Sequence, residues 1–165
     1  MNQYRPHLLV LPEDDANRQL ANGFLLHPGV DPGRIQVLTP AGGWVKVLEA
    51  FDRDQLANLR WLPDRYLLLV IDFDGDVDRM GDVKARIPED VRGRVFILGA
   101  RHEPENVRRA LSRIGSLEKI GTALAGNCQG DEPAVWTHPE LACNTAELER
   151  MKPIVEPWLF RSITI

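Results

Sequence analysis

Tyr66-Leu67-Leu68-Leu69-Val70-Ile71-Asp72-Phe73-Asp74-Gly75-Asp76 is the stretch that decides the fold. Six residues of unbroken apolar character end abruptly in three carboxylates spaced two apart. An apolar run without polar alternation reads as a strand buried on both faces, the signature of a parallel sheet covered by helices. Acidic residues just past such a strand lie at its carboxyl end, where an open α/β sheet forms its ligand crevice.

The same pattern recurs on either side. Residues 7–11 form an apolar run that leads into Glu13-Asp14-Asp15. Residues 34–38 form another, opened by the turn residues Asp31-Pro32-Gly33. Residues 94–98 are the fourth, followed by Glu103 and Glu105 around Pro104. Helical periodicity fills the gaps. Ala16, Leu20, Phe24 and Leu25 share one face. Gly42-Gly43 leads into Trp44, Val45, Val47, Leu48 and Phe51, with Leu56, Leu59, Trp61 and Leu62 continuing after a break. Helical patterns also cover 105–114 and 117–124. The expectation is an α/β fold with an open parallel sheet of about four strands flanked by helices. Its domain spans residues 1–126. Residues 127–165 are read as a small C-terminal appendage on the same domain, with a short helix at 145–151 and an apolar tail at 154–160.

The chain's 165 residues suit one compact domain, and 44% hydrophobic with 27% charged residues is ordinary globular composition. A formal net charge of −4 offers no global attraction for nucleic acid, so nucleic-acid binding requires a metal or a local basic patch. Cys128 and Cys143 read as reduced thiols. A zinc site built from Cys128, His138 and Cys143 matches no standard spacing. The first six residues carry no signal-peptide pattern, and no apolar run approaches the roughly 18 residues of a membrane span. A cytoplasmic protein without a membrane partner is expected.

Like charges gathered at one sheet edge are costly unless a cation sits among them, and carboxylate oxygens suit a hard divalent ion such as Mg²⁺ or Mn²⁺. Alternate residues of an extended segment point the same way, so Asp72 and Asp74 can face one ion. Glu13 is expected to point into the crevice while one neighbouring carboxylate caps the following helix. Asn17 reads as a surface amide or as a neutral oxygen for the same site. Glu103 and Glu105 suit a helix start opened by Pro104, and they are also candidate metal ligands. Gly42 and Gly43, before a helix on the same edge, and Arg101 are candidate substrate contacts. Asp76 reads as a turn residue.

This arrangement resembles the Toprim domain of topoisomerases, primases and the overcoming-lysogenization-defect nucleases. The resemblance covers residues 7–125. It rests on Glu13 after the first strand and on Asp72 and Asp74 after the third, with Asp76 continuing the acidic run. Asp14 stands where Toprim proteins commonly have glycine. The nuclease branch adds acidic residues after the fourth strand, here Glu103 and Glu105, and a later lysine, here Lys119. The resemblance implies a metal-dependent nuclease, with Glu13, Asp72, Asp74 and Lys119 in catalytic roles and with Glu13, Asp72, Asp74, Glu103 and Glu105 as metal ligands. In the topoisomerase branch the glutamate is assigned general acid/base work, a role that would fall to Glu13. Neither Tyr4 nor Tyr66 suggests a topoisomerase nucleophile, since Tyr66 opens a buried strand, so hydrolysis is favoured over strand passage. No phosphate-binding G-x-x-x-x-G-K-[ST] loop occurs. Any motor or targeting protein partner would be a separate chain.

Two alternatives use the same residues. A phosphorelay receiver would take Asp14-Asp15 and Asp72. However, the interval between them is long, and Leu98-Gly99-Ala100 lacks the hydroxyl that reports phosphorylation. A non-catalytic Toprim-like or flavodoxin-like interaction module, in a defence or toxin–antitoxin type of assembly, would dock through Trp136, Trp158 and Phe160 if these were exposed.

Overall fold

The computed structural model describes residues 5–161, and Tyr4 lies outside them. Four strands form one all-parallel sheet: β1 (His7–Pro12), β2 (Ile35–Val37), β3 (Arg65–Val70) and β4 (Val95–Leu98), in the order β2-β1-β3-β4. Val10 lies opposite Val37 on one side and Leu68 on the other, and Leu68 in turn lies opposite Phe96. The helices are α1 (Asp15–Leu25), α2 (Trp44–Ala50), α3 (Leu56–Trp61), α4 (Arg79–Arg86), α5 (Pro104–Ala110), α6 (Leu117–Cys128) and α7 (Thr145–Leu159). The break expected between residues 51 and 56 is a π-helical turn, Phe51–Gln55, that joins α2 to α3.

Side chains alternate across a strand, so each apolar run supplies both faces of the sheet. Leu9, Leu11, Leu67, Leu69, Val95 and Ile97 pack against Val47, Phe51 and Leu59, with Val83 and Ile87. Leu8, Val10, Leu68, Phe96 and Leu98 lie under Ala125, Met151, Val155 and Leu159. A third cluster joins Val107 of α5, Ile120 and Leu124 of α6, and Val135 and Leu141 of the following loop. Burial of each of the larger side chains contributes about 1.5–3 kcal/mol. Helices α1 and α6 meet at two glycines. A Cβ on Gly23 would lie 1.8 Å from Glu118 O, and one on Gly121 would lie 2.1 Å from Leu20 O.

Two helices differ from the sequence reading. The sequence reading assigned no residues to a helix between β3 and β4, where α4 buries a single residue, Val83. Helix α7 runs well past Met151, through Pro153 and Pro157. A proline removes one backbone donor and leaves a carbonyl four residues earlier unpaired. Both prolines are exposed and four residues apart, so the freed carbonyls of Glu149 and Pro153 lie on the solvent side.

The segment after residue 127 covers the edge of the sheet. Three side chains, three residues apart, bond to the backbone that β4 leaves unpaired. Gly99 N–H donates to Asn144 Oδ1 (2.9 Å), Ile97 N–H donates to Glu147 Oε2 (2.9 Å), and Arg150 Nη2 donates to Val95 O (2.6 Å). Side chains thus do the work of a fifth strand and block edge pairing. Glu147 is 1% exposed and is paired with Lys84 Nζ at 2.7 Å and Arg150 Nη2 at 3.0 Å.

Trp136, Trp158 and Phe160 do not form an exposed docking cluster. Trp136 Nε1 donates to Leu124 O, Trp158 packs on Tyr66, and Phe160 packs edge-on against Phe24. Among the described residues, no helix is long and apolar enough to cross a membrane.

Candidate functional site

The strand order reverses between β1 and β3: the chain leaves β1 for β2 on one side and returns to β3 on the other. Such a switch point opens a crevice at the carboxyl ends of the two strands. Glu13 and Asp72 lie there. Glu13 N–H continues the ladder by donating to Val70 O (2.8 Å), and Phe73 N–H donates to Ala100 O (3.1 Å). Glu13 Oε2 then accepts the backbone N–H of Asp72 at 2.6 Å, a side-chain bridge from one strand end to the next. Both residues are buried, at 9% and 8% exposure.

Asp14, extended at φ −145, caps α1 by accepting Asn17 N–H at 2.9 Å. Asp15 faces solvent and pairs with Arg18. The cap places Asn17 in the first helical turn, facing the sheet. Its Nδ2 donates to Asp72 Oδ1 at 2.8 Å, and the residue is fully buried. Asn17 is therefore neither a surface amide nor an oxygen donor at this site. It is the donor that orients Asp72.

Burial pushes the Asp72 carboxyl up to about 7, with the charges of Asp14 and Glu13 adding to the effect against the Asn17 bond. Glu13 is raised as well, first by burial and then by the charges of Asp14 and Asp74. The Asp72 N–H and Arg79 oppose the rise. Perturbed carboxyls in a crevice are a physical marker of a functional site.

Asp74 sits in a turn rather than on an extended continuation of β3. The backbone turns to φ 50 at Asp74 and φ 72 at Gly75, so the alternation of an extended segment ends there. Asp74 is instead held by Arg79, whose Nη1 donates to Asp74 Oδ2 (2.5 Å) and to Asp72 O (2.9 Å). The Arg79 guanidinium lies over the Trp44 ring, 4.8 Å from its centroid. Asp76 accepts Asp78 N–H and shapes the turn.

The other predicted residues fall into two groups. Gly42 N–H donates to Glu13 O (2.8 Å), so the Gly42-Gly43 loop abuts the site. Gly75 N–H donates to Arg101 O and Asp74 N–H to His102 O, which brings the loop after β4 to the same edge. Glu103 follows directly as the N-cap residue of α5, exposed and without a side-chain capping bond, and Glu105 lies in its first turn. Lys119, by contrast, is remote. It lines a groove with His27 and Asp131, beyond the end of α1 opposite the one Asp14 caps. Among the described residues, no three His, Cys, Asp or Glu side chains are placed to hold a metal ion. Cys128 and Cys143 are free thiols, both raised first by burial.

Three features escaped the sequence reading. Arg79 ties Asp72 to Asp74. The Lys46 side chain folds back over Gly42, its Cδ 3.5 Å from where a Cβ on that glycine would be. His102 Nδ1 meets Glu140 Oε1 at 2.8 Å, beside Gly75. Lys46, in the first turn after Gly42-Gly43, had a readable signal in that spacing. Arg79 and His102 did not, because their partners come from distant segments or from a turn. The chain matches no protein-family model, no curated protein and no solved structure.

Proposed function

We propose that this chain is a divalent-metal-dependent phosphodiester hydrolase acting on nucleic acid in the cytoplasm, with Glu13 and Asp72 at its centre. The supporting observation is the buried Glu13–Asp72 pair at the switch point. Both carboxyls there are pushed upward, first by burial and then by neighbouring carboxylates. The donor set is all carboxylate oxygen, which suits Mg²⁺ or Mn²⁺. Mg²⁺ commonly takes only one or two protein carboxylates and fills its shell with water and substrate phosphate, so a pair is sufficient. A bound ion would lower the pKa of a water and neutralise charge developing on the phosphate.

The chain's own groups do the positioning. Asn17 fixes the Asp72 carboxyl, and the Asp72 N–H fixes Glu13. A carboxyl raised toward neutrality can hold and return a proton, which suits general acid/base work. Arg79, and Lys46 over Gly42, put positive charge near an acidic centre on a chain of net charge −4. The resemblance to Toprim nucleases points the same way.

The test is cleavage of end-labelled single- and double-stranded DNA and RNA with Mg²⁺ or Mn²⁺. Metal-dependent cleavage that is lost in both Asp72→Asn and Glu13→Gln is expected. Cleavage retained in both variants, or none from the wild type on any of these substrates, overturns the proposal.

A further inference from the structure

On the α1/α6/α7 side of the sheet lies a cavity of about 110 Å³ with an almost wholly apolar lining. Met151, Val155 and Leu159, one stripe of α7, form part of its wall, with Phe24 from α1 and Cys128 from the end of α6. Close-packed interiors seldom leave such a space, and apolar cavities of roughly 150 Å³ admit a benzene ring. One wall residue is ionisable in the ordinary range: Glu156, next to Val155 on α7 and only half-buried. Among the described residues its carboxylate has no hydrogen-bond donor and no ion pair. Burial raises it, and the charge of exposed Lys152, one turn earlier, is all that opposes the rise. The Glu156 charge in turn raises the Cys128 thiol, so the carboxylate lies near a second wall of the cavity. A carboxylate drawn out of water beside apolar walls is costly until a cation pairs with it.

We infer that this cavity binds a small primary amine with a single-ring or short-chain apolar body, whose ammonium group pairs with Glu156. The walls take the body and the one carboxylate sets the charge of the head group, the usual division of labour in a ligand pocket. A charge-assisted hydrogen bond from the ammonium supplies the partner that Lys152 does not. The same carboxylate repels an anionic head group on an equally apolar body. The site uses none of the carboxylates of the crevice and does not depend on the phosphodiesterase reading.

The experiment compares benzylamine, benzyl alcohol and benzoate, which share a ring and differ in head-group charge. Each is titrated into the wild-type chain at pH 8 while methyl signals are followed by NMR. Benzylamine is expected to shift the methyls of Met151, Val155 and Leu159 saturably, and to leave Val83 and Ile87, on the other face of the sheet, unmoved. It is expected to bind about tenfold more tightly than benzyl alcohol, the difference made by a hydrogen bond between two charged groups. Benzoate is expected not to bind. Glu156→Gln keeps the apolar walls and is expected to bring benzylamine and benzyl alcohol to equal affinity. No saturable shift with benzylamine overturns the inference. So does benzyl alcohol or benzoate binding the wild type as tightly as the amine, or a preference for the amine that survives in Glu156→Gln.

Discussion

Glu13 Oε2 accepts the backbone N–H of Asp72 at 2.6 Å, so the carboxylate that ends one central strand is held by the peptide that follows the other. The bond locks the crevice and also confines two like charges. Asp72, with its carboxyl raised from 3.8 to about 7, is protonated more readily in the folded chain than in the unfolded one. Between about pH 4 and pH 7 the native state therefore binds more protons, and stability falls as pH rises through that window. Asp72→Asn keeps an oxygen for Asn17 and removes the charge. It is expected to raise the melting temperature at pH 8, to have little effect at pH 4, and to flatten the profile between. Thermal unfolding across this range in metal-free buffer measures it. A lower melting temperature at pH 8 would contradict the argument.

Glu147 has the opposite sign. Burial would raise its carboxyl, but Arg150, Lys84 and the Ile97 N–H together hold it below the usual value. Its contribution is present above the unfolded value and is lost as pH falls through the lower folded one. Glu147→Leu leaves Ile97 N–H and two cations without their acceptor, at a cost of about 3–5 kcal/mol. Glu147→Gln keeps an acceptor for Ile97 and is expected to cost less, while removing the acid-side dependence. Urea unfolding of the two variants at pH 7 and pH 4 separates these contributions. Equal loss in both variants would mean that the edge-capping bond contributes nothing.

How much of this was legible follows from where each signal resides. The four strands were readable because both faces are buried and their apolar runs are continuous. Glu13 and the helix-capping carboxylate beside it were readable from local spacing. The turn at Asp74 was not legible, because its φ of 50 ends strand alternation and nothing before Gly75 announces it. Asn17 was read mainly as a surface amide because only packing of α1 on the sheet buries it. Helix α4 has one buried residue to declare itself, and α7 carries two prolines that locally argue for a stop.

The α1–α6 contact predicts that two glycines respond to alanine in opposite directions. In general, alanine stabilises a helix by about 0.5–1 kcal/mol over glycine. At Gly81, exposed in α4 with nothing within 4 Å of an added Cβ, that gain is expected. At Gly121 the added Cβ would lie 2.1 Å from the Leu20 carbonyl oxygen, so the helices must separate. Overpacking of this kind typically costs about 1–3 kcal/mol, more than propensity returns. Gly121→Ala should therefore destabilise where Gly81→Ala stabilises. Chemical denaturation of both variants tests the pair, and a stabilised Gly121→Ala would show that α1 and α6 are not so close.

Arg79 has two separable roles, one electrostatic and one structural. Its charge lowers the Glu13 carboxyl, so Arg79→Ala is expected to raise Glu13 further above its ordinary value. Its Nη1 also holds Asp72 O and Asp74 Oδ2 together, which keeps the turn at residues 73–76 closed. Arg79→Lys retains charge but lacks the planar guanidinium whose stacking on Trp44 holds Nη1 at both acceptors. The lysine variant should therefore restore much of the Glu13 titration and little of the turn's order. Carboxyl ¹³C titration reads the first effect, and amide hydrogen exchange at Asp74, Gly75 and Asp76 reads the second. If lysine restored both, a single positive charge would account for Arg79, and the bridging geometry would have no role of its own.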